Sequence, residues 1–168
     1  QGAWNESRVA QANALADWVP TVLATYTAPA VTDVILLGDF NSYTQEDPMQ
    51  ALYAKGYVDA NAADASTYEY SYNFDGLAGS LDHVLYNASM AERVTGSDIW
   101  NINAPESIAL EYSRYNYHGI LYYAPDAFRS SDHDPVIVAF DGPDTAEPDP
   151  DYVPVGPARV FDTRPGES

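Results

Sequence analysis

Near the end of the chain stands RSSDHDPVIVAF, residues 129–140. The run VIVAF has the β-branched and aromatic make-up of a buried strand. Asp132, His133 and Asp134 crowd its mouth, and Pro135 pushes Asp134 toward extended backbone. A strand that begins at an acid–base cluster holds such groups rigidly at a sheet edge. An ordinary loop-to-strand junction has the same composition, so the rest of the chain has to discriminate.

Upstream, the pattern alternates helices and strands. Asn5 is expected to cap a helix through ESRVAQANALADWV, where Val9, Ala12, Ala16 and Val19 recur at helical spacing, and Pro20 is expected to end it. DVILL (33–37) reads as a short buried strand running into Gly38-Asp39-Phe40-Asn41. Asp47 as cap, Pro48 at the first helical position and Gly56 as stop signal a second helix. YEYSYNF (68–74) and LDHVLYN (81–87) read as two strands joined by a glycine-rich turn. Residues 90–125 look loop-dominated, and PVIVAF is the last strand. The order indicates an α/β fold with a mixed sheet. Residues 142–152 form an acidic, Pro-rich linker, and 153–168 open a further module.

Composition sets limits. The 168 residues, 46% of them hydrophobic, suffice for one domain with a real core. No apolar run is long enough to span a membrane. The N-terminal QGAWNESRVAQ shows no signal-peptide pattern, which leaves secretion open. The absence of cysteine excludes disulfides, thiol catalysis and thiolate metal sites. Seven basic residues against 25 acidic ones give a charge of −18, a surface that repels nucleic acid unless cations intervene.

Three clusters carry chemistry. In GDFN, Asp39 and Asn41 share one side if the backbone stays extended. The carboxylate then suits activation of a water and the amide suits donation to an oxyanion. Gly38 would permit close approach of backbone or ligand. Taken alone, GDFN favours a strand-ending turn. In SLDHVLY, Asp82 is placed to orient an imidazole, whereas His83 points the other way and is expected to be packed or at the surface. In SSDHDPV, His133 suits proton transfer or a phosphate contact, Asp132 suits a divalent cation, and Asp134 suits a loop cap. Tyr68, Tyr70, Tyr72 and Phe74 alternate along one strand face, expected to turn toward the core; stacking on nucleobases is the alternative.

GDFN, then SLDHVL, then SDHDPV, in that order, resemble the endonuclease/exonuclease/phosphatase superfamily. LLGDFNSYTQEDPMQAL, YSYNFDGLAGSLDHVL and LYYAPDAFRSSDHDPVIV are more narrowly similar to its large secreted bacterial nucleases. The resemblance implies the C-terminal half of a deoxyribonuclease-like two-sheet α/β sandwich over residues 1–141, with a mainly antiparallel sheet and flanking helices. It implies that Asp39 positions water, Asn41 binds the scissile phosphate, Asp82 orients His133, and His133 stabilises charge on phosphorus. It also implies that Asp132 helps hold Mg²⁺, with Mn²⁺ or Ca²⁺ as substitutes. The expected activity is extracellular, metal-dependent cleavage of DNA, with RNA as a second substrate, by water attack. A phosphatase, a phospholipid phosphodiesterase of the same superfamily and a non-catalytic binding module are the alternatives. The expected partners are nucleic acid and an N-terminal half of the same domain, without which the isolated chain is expected to be inactive. One apolar sheet face should then lie uncovered. The tail YVPVGPARVFDTRPGES resembles segments of cell-surface and secreted actinobacterial proteins.

Overall fold

The protein is described by a computed structural model, over residues 2–26, 31–61, 70–74, 76–111 and 122–142. Tyr68, the linker beyond Gly142 and the module at 153–168 lie outside these residues. The described elements are α1 (Asn5–Leu23), β1 (Ile35–Asp39), α2 (Asp47–Ala54), β2 (Val58–Asp59), β3 (Tyr72–Phe74), β4 (Leu77–Gly79), β5 (Asp82–Tyr86), β6 (Val94–Ile99) and β7 (Val136–Phe140). Short 3₁₀ turns lie at Ala88–Arg93 and Ile108–Leu110. The fold is α/β, as expected, and every described strand pair is antiparallel.

The layers follow from the period-2 alternation of β5. Its odd face presents Leu85 to Ala12, Ala16 and Val19 of α1 and to Met49 and Leu52 of α2. Its even face presents Val84 and Tyr86 to a second apolar cluster with Ala60, Met90, Val136, Val138 and Phe140. Helices therefore cover one side of the sheet β1–β5–β2, and the β6–β7 ribbon covers part of the other.

β1 departs from its expected burial. Ile35 and Leu37 share a face with Tyr86 and Val84, but Leu37 is 72% exposed. The β6–β7 ribbon packs over β5 and leaves the outer face of edge strand β1 bare.

Several local expectations are also corrected. Trp4, in the left-handed region, caps α1, while Asn5 is its first residue and bonds Asp47 through its amide. Pro20 lies inside α1, whose last turn continues past it to Leu23. Glu46 rather than Asp47 occupies the cap of α2, with Pro48 in the first turn. FDGLAGS is more than a turn: β4 within it pairs with β3, so β5 is free to join β1 and β2. β6 was not anticipated; it pairs with β7 through a register shift between Val94 and Gly96. Phe74 is 46% exposed rather than core-facing, with its ring stacked on Tyr72.

Candidate active site

β1 and β5 bring two carboxylates face to face. Asp39 pairs with Asp82 in the register, and the next bond runs from Phe40 N–H to the Leu81 carbonyl. Asp39 and Asp82 thus form a non-hydrogen-bonded pair, the arrangement that brings cross-strand side chains closest. Like charges so placed repel, and Asp82 is compensated elsewhere. Its Oδ2 accepts from His133 Nδ1 (2.7 Å) and from the Ser71 hydroxyl (2.7 Å).

The Asp82–His133 pair fixes the imidazole. With Nδ1–H donated to the carboxylate, Nε2 is the nitrogen left to a ligand. The Tyr72 ring packs against the imidazole at 4.6 Å between centroids and also bridges to His133 through its backbone. Burial, followed by the negative charge of Asp132, raises the Tyr72 hydroxyl pKa. Ser71 supports the pair: its hydroxyl accepts from Leu81 and Asp82 N–H, and its carbonyl accepts from Asp134 N–H. Ser71 went unrecognised in the sequence, and Tyr72 read only as a member of an aromatic stripe.

The turn after β1 carries Asn41, but extended alternation is not what places it. Asn41 has φ 47°, and its N–H donates to Asp39 Oδ1 (2.7 Å), the side-chain-to-backbone turn typical of Asp. Its side chain is exposed and bonds no described residue. Gly38 has φ 146°, a conformation that favours glycine, and an added Cβ there would meet no protein atom within 4 Å, so no described backbone packs closely on it. Arg8 of α1 braces the turn from below, donating to the Asn41 carbonyl (2.7 Å), the Ser42 hydroxyl (2.8 Å) and Glu46 (2.8 Å).

The loop that carries Asp132 and His133 is fastened at its buried end. Asp134 Oδ1 accepts from the N–H groups of Ile102 (3.2 Å), Asn103 (2.7 Å) and Ala104 (2.8 Å). Arg129 takes the carbonyls of Asn103 (3.0 Å) and Ala104 (2.6 Å) and pairs with buried Glu111. One carboxylate and one guanidinium thus satisfy both polarities of the same turn. Asp134 is a loop cap, as the sequence suggested.

His83 is packed, on the core side of β5. Its Nδ1 lies 2.6 Å from Asp59 Oδ2 and its Nε2 2.9 Å from the Ser42 carbonyl. Burial lowers its pKa, but the bond and charge of Asp59, the Ser42 carbonyl and the charge of Asp82 outweigh this and leave it raised.

A crevice of about 170 Å³ opens between Leu37–Gly38, Asp82–Val84 and Asp134–Val136. Among the described residues no three His, Asp or Glu side chains form a metal cluster. Asp132 is half-buried and bonds no described donor. That donor chemistry fits Mg²⁺ in part, because this ion is commonly held by one or two carboxylates, waters and substrate phosphate.

The structure therefore brings Asp39, Asp82 and His133 together, with Asn41 on the adjoining turn and Asp132 beside His133 in sequence. None of the curated proteins compared with the chain matches it. The Endonuclease/Exonuclease/phosphatase family model matches residues 4–133. The chain belongs to that family, whose members are hydrolases of phosphoester bonds that commonly use divalent metals.

Proposed function

We propose that the chain carries one side of the active site of a metal-dependent phosphodiesterase, an extracellular endonuclease acting on DNA. The observation that carries the reading is the Asp82–His133 hydrogen bond of 2.7 Å, formed where Asp82 faces Asp39 across the strand pair.

In this reading Asp39 orients the attacking water and accepts its proton. The exposed Asn41 amide donates to a non-bridging oxygen of the scissile phosphate. His133, held at Nδ1 by Asp82, donates from Nε2 to the phosphoryl oxygens as charge builds on them. The water oxygen forms its bond to phosphorus as the ester P–O bond breaks, and the leaving oxygen departs with that electron pair. Asp132 contributes one carboxylate to Mg²⁺, which supplies Lewis-acid stabilisation of charge when bound. Mn²⁺ or Ca²⁺ would substitute.

The bare outer face of β1, with Leu37 at 72% exposure, supports a further part of the reading: the remainder of the same domain covers it. The charge of −18 weighs against the nucleic-acid substrate for this part of the domain, so an encounter with DNA requires cations, while the same charge suits an extracellular setting. Plasmid DNA, RNA, a phosphomonoester and a phospholipid headgroup ester, each offered to the complete protein with Mg²⁺ or chelator, test the assignment. Mg²⁺-dependent nicking of plasmid is expected; turnover of the phosphomonoester or phospholipid alone would replace the nuclease reading by a phosphatase or phospholipase one.

A further inference from the structure

The mechanism above leaves the buried His83–Asp59 pair unused. His83 and Asp59 have side chains only 1% and 2% exposed, beneath the turn that carries Asn41. Both His83 nitrogens face acceptors: the Asp59 carboxylate at 2.6 Å and the Ser42 carbonyl at 2.9 Å. A neutral imidazole has one N–H, so it could satisfy only one of them and would set a lone pair against the other. An imidazolium donates to both, and the adjacent carboxylate neutralises its charge.

The partners give this proton a mechanical consequence. Ser42 is completely buried and directly follows Asn41. Its carbonyl is held by His83, and its hydroxyl and the Asn41 carbonyl are held by Arg8. Asn41 sits at φ 47°, the left-handed region that Asn tolerates better than most residues, and its N–H donates to the Asp39 carboxylate. Arg8 from α1 and His83 from β5 hold the turn from below.

We propose that His83, charged and paired with Asp59, is a positioning residue that holds the Asn41 turn in its site geometry, and that loss of its proton at alkaline pH releases this turn. One strand then serves the site twice: Asp82 orients His133 from one face of β5, and His83 fixes the Asn41 turn from the other. The titratable groups around His83 are Asp59 on β2, the Tyr53 hydroxyl of α2 bonded to Asp59 (3.4 Å), and Asp82 on its own strand. Beyond Ser42 stand Arg8 and its partner Glu46. The Phe40 ring packs nearly perpendicular to the His83 ring, 5.8 Å between centroids.

The consequence for turnover rests on the phosphoester reading, but the positioning itself does not, so the test reads both. Imidazole and amide NMR of the full chain, titrated with pH, should show both His83 nitrogens protonated at neutral pH. The Asn41 and Ser42 amide signals should move in the same step. Asp59→Asn should shift that step down by about one pH unit or more, since an opposing charge is lost. His83→Gln, which still offers an amide N–H to the Ser42 carbonyl, should abolish the step even if Asp59→Asn fails to fold. In the complete protein, hydrolysis of bis-p-nitrophenyl phosphate should lose kcat on the alkaline side at the same pH, with the limb absent in His83→Gln. A singly protonated His83 at neutral pH, or Asn41 and Ser42 signals that ignore its titration, overturns the proposal. Coupled signals in a protein that hydrolyses no phosphoester uphold the positioning role and overturn the enzymatic reading alone.

Discussion

Asp82 lies directly across from Asp39 on the neighbouring strand, yet its carboxylate is claimed by His133 Nδ1 at 2.7 Å. Two carboxylates in one cross-strand pair thereby acquire different tasks. One becomes the fixed counter-charge of an imidazole, and the other keeps its oxygens for the adjoining turn and for solvent. Ser71 makes this division firm by donating to the same Asp82 oxygen at 2.7 Å.

Asp82→Asn is therefore expected to keep the fold and lose turnover. The amide cannot stabilise a charged His133 and can present an N–H to Nδ1. A fall in kcat of about 100-fold is expected with a nearly unchanged KM, since the loss falls on general acid–base and charge stabilisation. Steady-state kinetics on the complete protein check this.

Asp134→Ala acts through the loop rather than the chemistry. It strands the buried N–H groups of Asn103 and Ala104 and also frees that of the more exposed Ile102. A destabilisation of about 3 kcal/mol is expected from the desolvated donors. The urea midpoint should fall, and the His133 position should loosen with it.

Stability should depend on pH from two directions. The hydrogen bond from Arg8, opposed by burial and aided by the Gly2 and Tyr43 N–H groups, lowers the Glu46 pKa from 4.5 to about 2. A lowered carboxylate contributes fully above its unfolded value and loses that contribution as pH falls through the folded one. Glu46→Gln should thus flatten the decline between about pH 4.5 and 2. The raised His83 works oppositely: its contribution is complete below the unfolded value near 6.5 and is lost as pH rises through the folded value. Denaturant midpoints from acid to alkaline pH should fall at both ends, with the alkaline fall missing in His83→Gln.

Leu37→Lys distinguishes a bare face from a covered one. At 72% exposure the change should cost this chain less than about 0.5 kcal/mol. In the complete protein the same charge should be markedly destabilising if the rest of the domain covers β1. Equal tolerance in both would remove that part of the proposal.

The sequence was most legible where residue type and order carried chemistry. GDFN, SLDHVL and SDHDPV stand at the ends and starts of β1, β5 and β7, where strand alternation separates Asp82 from His83. It was less legible where tertiary context overrode local pattern. VTGSDI gave no alternating signal because most of β6 is exposed and its pairing with β7 is interrupted. Pro20 reads as a helix stop, yet α1 continues to Leu23, and the Ala24 N–H closes its last turn on the Pro20 carbonyl. Ile35 and Leu37 are apolar, but burial depends on what packs above them, which no local pattern states. The Asp59–His83 pair joins positions 24 residues apart, and the only local hint was a lone histidine in an apolar strand.

The most direct test of the central claim is plasmid nicking by the complete protein and its His133→Ala variant, with Mg²⁺ and with chelator. Wild-type activity that chelator abolishes, and that His133→Ala lowers by about two to four orders of magnitude, is the expected result. A variant that nicks plasmid at the wild-type rate would contradict the assignment of His133, and with it the account of the Asp82 pair.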